Sequence, residues 1–202
     1  SPHLHFGEIS PLRALTVAEE YARRRKSIPD KDRQTFRREL IWRDFNHHLL
    51  YHFQKLGTDN FNPRFNKLKW RNVAGDLKKW QTGQTGYPIV DAGMRQLWQM
   101  GWMHNRVRMI VGSFLTKDLL IDWREGGGWF RETRVDGDEA NNTSQWQWIA
   151  GTGADAQPFF RIFNPIKQSR DFDPEGDYIR SFVPELSDLP NEAIHALSLI
   201  HI

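Results

Sequence analysis

The stretch DRQTFRRELIWRDFNHHLLYHFQKL, residues 32–56, decides the fold class. Its apolar residues Phe36, Leu40, Phe45, Leu49, Phe53 and Leu56 recur every three to five positions, the period of one face of an α-helix. The spacing predicts a single long amphipathic helix that Gly57 ends. Downstream, residues 59–70 carry Asn60, Asn62, Pro63 and Asn66 without a period and read as a long connection pinned by two phenylalanines. Past Gly83, Gly86 and Pro88, one helix is expected from Ile89 to Met100 and another from His104 to Leu120, with Gly101 between them. The second would set Val107, Ile110, Val111, Phe114 and Leu115 on one face. Gly126 to Gly128 should break the chain, with weak helical patterns at 129–133 and 141–149 and loop beyond Pro158. No sustained alternation of period two is present, so the fold should be all-α, a single irregular bundle over residues 1–202.

With 202 residues and 39% hydrophobic, 26% charged and 13% aromatic content, the chain can bury one large core, which excludes disorder and collagen-like repeats. The absence of cysteine removes disulfides, thiolate nucleophiles and iron–sulfur clusters, so any redox chemistry must be borrowed from a cofactor. The longest aliphatic run, Leu119-Leu120-Ile121, is far below the roughly 18 residues of a membrane span, and no secretory leader pattern opens the chain. A soluble protein with no membrane partner is expected. The opening Ser1-Pro2 suggests a segment of something longer. A net charge of +3 makes any nucleic-acid site local rather than global. Nine tryptophans are unusual, and a large flat ring serves core packing, base stacking and electron transfer alike.

Several constellations have both a bland and a chemical reading. Glu39, Trp42 and Arg43 share one helical face, either as a surface ion pair over a half-buried ring or as a carboxylate, stacking ring and cation for a ligand. Asn105, Arg108 and Met109, with Arg106 one step round, form a second such face or a solvated helix start. His48 and His52 have metal-ligand spacing beside His47, but without cysteine or an HExxH arrangement they read as helix-face histidines, and no metal is expected. Residues 82–86, TGQTG, lack the lysine of a phosphate loop and read as a turn. Arg23 to Lys26 could touch phosphates or close a helix. Residues 135–142, VDGDEANN, crowd carboxylates and amides just before Trp146 and Trp148. They lack EF-hand spacing, and could instead floor a pocket for a heteroaromatic ligand.

Taken in order, SPHLHFGE (1–8), ELIWR (39–43), TGYPIVDA (85–92), GWMHNR (101–106), DGD (136–138), WQW (146–148) and FRIFNP (160–165) resemble the C-terminal flavin-binding region of the photolyase and cryptochrome family. The resemblance is closest to the class I cyclobutane pyrimidine dimer branch and spans residue 1 to about 190. It implies an all-α, irregular multi-helix FAD-binding domain and light-driven repair. Excited reduced FAD, anionic in its active form, lends an electron to a pyrimidine dimer in UV-damaged DNA and recovers it. A cryptochrome-type photoreceptor that signals without repair is the alternative, as is a DNA-binding scaffold without photochemistry.

The resemblance places the flavin on Ser1, Phe36, Arg108, Asp136, Asp138 and Asn142, with Arg108 and Asp136 as a charge-paired clamp. A neutral amide at Asn142 suits an anionic flavin, because a carboxylate would repel it. Glu39 and Asn105 would hydrogen-bond the dimer carbonyls, and Met109 would lie under the flipped bases. Trp42 and Trp148 would stack on the bases, with Arg43 on the same DNA-facing helix surface. Arg106 and Gln168 would hold the neighbouring backbone, contacts that carry position rather than sequence. Trp146, Trp123 and Trp70 match an electron-hopping chain from flavin to surface, whereas Trp80, Trp98 and Trp129 read as structural. The family's N-terminal α/β domain, where an antenna chromophore would sit, is absent from these residues, and 191–202 form an atypical apolar tail that could promote association. A cytoplasmic monomer with access to the bacterial nucleoid, and no obligate protein partner, is the expected setting.

Overall fold

Pro88 opens the helix around which the others assemble. Its fixed φ suits the first helical position, and the preceding turn is locked by Asp91, whose carboxylate accepts from the backbone nitrogens of Thr85 (2.7 Å) and Gly86 (3.0 Å) and from the Thr85 hydroxyl (2.6 Å). Ile89, Val90, Ala92, Met94 and Leu97 of this helix are all buried. Gly93 lets the next helix approach, since a Cβ there would lie 2.5 Å from Val107 Cγ1. Gly101, at φ +62°, closes the helix in the left-handed conformation that glycine adopts without strain.

The computed structural model describes residues 1–25, 27–155 and 162–197. The helices are α1 (Pro2–His5), α2 (Pro11–Arg24), α3 (Asp30–His52), α4 (Ala74–Thr82), α5 (Pro88–Met100) and α6 (Asn105–Ser113). They continue with α7 (Trp123–Thr133), α8 (Glu139–Ala150), α9 (Pro165–Phe172), α10 (Asp177–Phe182) and α11 (Asn191–Ile194). Among the described residues no strand occurs, and the fold is all-α. The core lies where α4, α6, α9 and α10 pack on α5, and α8 bridges α3, α6 and α7. No helix among the described residues is long and apolar enough to cross a membrane.

Several sequence expectations are corrected. The long helix ends at His52 rather than at Gly57, and of its apolar series Phe36, Phe45 and Phe53 are exposed, while Asn46 is buried beside Leu40 and Leu49. The glycine triplet lies inside α7 rather than breaking it. A Cβ on Gly126 would sit 2.2 Å from Trp146 Cη2 and 2.6 Å from Leu115 Cδ2, so glycine is what lets α7 press against α8. The connection at 59–70 is held by Phe61, half-buried and edge-on to Phe53, and also by Gln147, a fully buried side chain that donates to the carbonyls of Leu56 and Asp59 and accepts from Phe61 N. Past Pro158 the chain is helical again in α9 to α11. The tail is integrated as far as it is described, with Ile194 and Ala196 in the core and His195 bonded to Ser169 (2.7 Å). Residues 198–202, Lys26 of the basic run, and Phe160 and Arg161 of the FRIFNP motif lie outside the described residues. The second predicted helix stays α-helical to Ser113 and continues as a π-helical turn over Phe114–Asp118.

Candidate functional site

A cavity of about 440 Å³ opens between α3, α6 and α8, within the range usual for ligand sites. Glu39, Trp42, Asn105, Arg108, Met109, Asn142, Trp146 and Trp148 all line it, so three helices far apart in sequence deliver eight of the singled-out residues to one place. Helical spacing makes this possible. Glu39, Trp42 and Asn46 follow at i, i+3, i+7 on α3, and Asn105 and Met109 at i, i+4 on α6, where the Asn105 amide lies 3.9 Å from the Met109 sulfur. At the mouth Trp42 is 44% exposed, its ring edge-on to Phe45 at 5.5 Å, and Glu39 is exposed too.

The inner wall is polar and closed. Asn142, 4% exposed, donates from Nδ2 to the Gly127 carbonyl (2.9 Å), while its Oδ1 is buried without a partner on the protein. The Ser144 hydroxyl is in the same condition and lines the same cavity. A buried acceptor with no donor is costly, so a ligand donor at Asn142 Oδ1 would relieve a standing penalty.

Asp136 is not clamped by Arg108. Arg134 takes its Oδ1 with Nε (2.9 Å) and Nη2 (2.7 Å), and the Ser1 nitrogen takes Oδ2 (2.8 Å). Burial alone would raise the Asp136 carboxyl, but the Ser1 amine, Arg134 and Arg108 outweigh it and hold it down to about 2. Arg108 instead donates from Nε to the Met103 carbonyl (2.7 Å). Burial, and then repulsion from Arg134, push its guanidinium down to about 10. Asp138 caps α8 through Asn141 N (2.7 Å) and pairs with His47 (3.1 Å). Burial works against ionisation there too, but the Asn141 bonds, His47 and the Arg43 guanidinium hold the carboxyl below its ordinary value. Glu139 pairs with Arg131 (3.1 Å), so protein partners engage all three carboxylates of the acidic cluster.

Phe36, Arg43, Arg106, Gln168, Trp123 and Trp70 are not among the residues that line the cavity. Phe36 of α3 is exposed, and Arg43 pairs with Asp44 (3.5 Å). Arg106 lies with its guanidinium carbon 4.4 Å from the centre of the Phe172 ring on α9, and Gln168 is one turn earlier on that helix with Oε1 buried and unpartnered. Trp146 and Trp123 are buried and Trp70 half-buried. Trp123 donates from Nε1 to Asn60 (2.9 Å), and Trp146 meets Phe130 at 5.0 Å and Trp80 at 6.1 Å, both edge-on. His48 and His52 are exposed, their rings 4.3 Å apart, and the described residues hold no group of three or more metal-ligating side chains.

The sequence reading missed Asn46, Arg134 and Ser144. Asn46 shares the helical face of Glu39 and Trp42, which was a usable signal. Arg134 had none, because its role follows from the bend that returns the chain onto Asp136.

A cavity with flat aromatic walls, a buried amide oxygen without a donor and two arginines in its lining suits a heteroaromatic cofactor. The profile of the FAD binding domain of DNA photolyase matches residues 36–201, and the chain belongs to that family. It is 57% identical over 195 residues, 96% of this chain and 40% of the relative, to a deoxyribodipyrimidine photo-lyase of Agrobacterium fabrum. The crystal structure of a class III photolyase from Agrobacterium tumefaciens superposes with a TM-score of 0.92 at 56% identity, covering 99% of this chain and 41% of that one. That description names a different branch from the class I to which the motifs point. A Synechocystis cryptochrome superposes with a TM-score of 0.90 at 38% identity over 99% of this chain and 41% of its own. The chain thus spans about two fifths of the length of the relatives it matches.

Proposed function

We propose that the full-length protein repairs cyclobutane pyrimidine dimers in UV-damaged DNA under blue light, and that residues 1–202 are its single helical flavin- and DNA-binding domain. The observation that carries this reading is one cavity with two unlike ends: a closed polar wall with an unpartnered Asn142 Oδ1, and an exposed mouth of Glu39, Asn105 and Trp42. FAD bound there in its reduced, anionic form supplies, on excitation, the electron that opens the cyclobutane ring and takes it back. Asn142, Arg108, Asp136 and Asp138 would hold it, with Ser1 acting through Asp136 and Phe36 at the outer edge.

Glu39 and Asn105 bind the dimer carbonyls and stabilise the charge that develops on them. A dimer reaches the cavity only when flipped from the duplex, and the exposed Trp42 and the half-buried Trp148 are the rings it meets, with Met109 beneath. Arg43, Arg106 and Gln168 hold the flanking backbone. Trp146, Trp123 and Trp70, running from buried to half-buried, form the path by which electrons reach the cofactor from the surface. An antenna chromophore belongs to the part of the full-length protein N-terminal to these residues. The setting on this reading is a cytoplasmic monomer.

The test is dimer loss from irradiated oligothymidine under blue light by the full-length protein with reduced FAD. Multiple turnovers are expected, lowered by Glu39→Ala with flavin absorbance unchanged. Equal repair by the variant would remove Glu39 from the mechanism. Bound, photoreducible flavin without dimer loss would assign a cryptochrome.

A further inference from the structure

Among the described residues, five buried polar side-chain atoms lack a hydrogen-bond partner, and two of them, Asn142 Oδ1 and Ser144 Oγ, line the cavity. The two side chains leave α8 in different directions. Positions two apart on a helix are separated by about 200°, so while Asn142 reaches the Gly127 carbonyl of α7, Ser144 shares its side of α8 with Asn141 and Trp148. Asn141 fixes what that side faces, because it accepts from Asn46 of α3 (2.9 Å), and His47, next to Asn46, reaches back to Asp138 (3.1 Å). These contacts run in opposite order along the two helices. One turn onward from the asparagine pair, Ser144 on α8 is therefore level with Trp42 on α3, and a further turn sets Trp148 level with Glu39. The orphaned hydroxyl stands across the cavity from the mouth residues. A hydroxyl shut away from water without a partner costs the free protein stability, and a substrate that supplies the partner recovers it.

We propose that Ser144 is a substrate-binding residue, whose hydroxyl hydrogen-bonds the polar edge of the extruded pyrimidine dimer opposite Trp42. This rests on the repair reading above. A hydroxyl both donates and accepts, so it meets a ring carbonyl as donor or a ring N–H as acceptor. Glu39 and Asn105 take the dimer from α3 and α6, and Ser144 adds an attachment from α8. Polar contacts from separate helices fix the orientation of a ligand that stacking alone leaves free to rotate. Because the Ser144 hydroxyl makes no hydrogen bond in the free protein, its removal should relieve the free state and weaken the bound one. A group that served packing would not show these opposite signs.

The experiment uses the full-length protein loaded with FAD and compares wild type with Ser144→Ala. It reads bound flavin by absorbance, Tm without DNA, and the dissociation constants of a duplex carrying one thymine dimer and of the same duplex undamaged. In S144A the dimer-containing duplex should bind about three- to tenfold more weakly, with flavin content and binding of the undamaged duplex unchanged and Tm equal or higher. Ser144→Gly removes the same hydroxyl and gives the same binding readout if S144A does not fold. Unchanged affinity for the dimer overturns the proposal, since water rather than substrate would then satisfy the hydroxyl. An equal fall for both duplexes, a loss of flavin or a lower Tm in S144A also overturns it, by giving the hydroxyl to the DNA backbone, to the cofactor or to the fold. Wild type that does not distinguish the two duplexes overturns the repair reading itself, and this inference with it.

Discussion

Asn142 and Trp146 on α8 are each 4% exposed, whereas Glu39 and Trp42, which line the α3 side of the same cavity, stand open to solvent. The α8 side is braced from behind, by the α7 glycines that receive the Trp146 ring and by the Arg134–Asp136 pair. The α3 side is attached through its buried Leu40 and Leu49 and through single polar bonds such as Asn46 to Asn141 (2.9 Å) and His47 to Asp138 (3.1 Å). A wall rigid on one side and lightly held on the other suits a cofactor that stays and a substrate that comes and goes. Damage to the α8 side should therefore cost folding and cofactor together, and damage to the α3 side should cost substrate alone.

The largest effect is expected from Asp136→Asn. Removing the carboxylate leaves Arg134 and Arg108 facing each other inside the protein, and breaking a buried ion pair from one side costs about 3–5 kcal/mol. Thermal unfolding of the full-length protein should show a large fall in Tm with loss of bound flavin; an unchanged Tm would make the two walls equivalent. The same carboxylate gives the comparison a pH signature. Arg134 and Arg108 act to hold this carboxyl below the ordinary 3.8, so its stabilisation is present above about pH 5 and is lost progressively as pH falls. Acid titration of stability should show this loss in wild type and not in D136N.

The two walls also differed in how well the sequence revealed them. The α3 side was legible because its residues sit on one uninterrupted helix, where i, i+3, i+4 spacing fixes which side chains share a face; Glu39 and Trp42 needed no tertiary information. Even there, the apolar series misled. Phe36, Phe45 and Phe53 look like core residues by period but lie exposed: Phe45 lines the open cavity, and Phe53 stands past the end of α3, edge-on to Phe61. The α8 side was legible only as a cluster of polar residues near two tryptophans. Its construction depends on contacts between elements: Gly126 reads locally as a helix breaker, and only the Trp146 ring 20 residues later makes glycine the residue that fits. Likewise the pairing of Asp136 with Arg134 rather than Arg108 depends on how the chain turns between α7 and α8. Local periodicity carries no information on that turn.

Trp42→Ala examines the lightly held side. The ring is half in solvent against Phe45, so its removal should leave Tm and flavin content near wild type. If it stacks on an extruded base, binding of UV-irradiated DNA should weaken by roughly 1–3 kcal/mol, on the order of tenfold or more. Titration of the variant with irradiated and unirradiated duplex checks this, and the loss should be confined to the irradiated DNA. A matching loss of flavin would show that the α3 wall holds the cofactor as well.

The smallest effect is expected at the rim, where Arg106 of α6 lies over the Phe172 ring of α9 at 4.4 Å. Phe172 is 55% exposed, too open to serve chiefly as core, and its face supplies the electron-rich surface on which a guanidinium rests flat. Holding Arg106 in one orientation before DNA arrives lowers the entropy lost on contact with a phosphate. At an exposed site such a pair contributes about 0.5–1 kcal/mol, so Phe172→Leu should weaken DNA binding by about two- to fivefold, with or without damage. Because the ring acts through Arg106, the loss should disappear when Phe172→Leu is made in an Arg106→Ala background. Binding measured at two salt concentrations for the four proteins of that cycle separates the outcomes. Loss of Arg106 should flatten the salt dependence by about one phosphate contact, while loss of Phe172 alone should leave the slope intact. Equal losses in both backgrounds would instead give Phe172 its own contact with DNA and extend the lightly held side of the site onto α9.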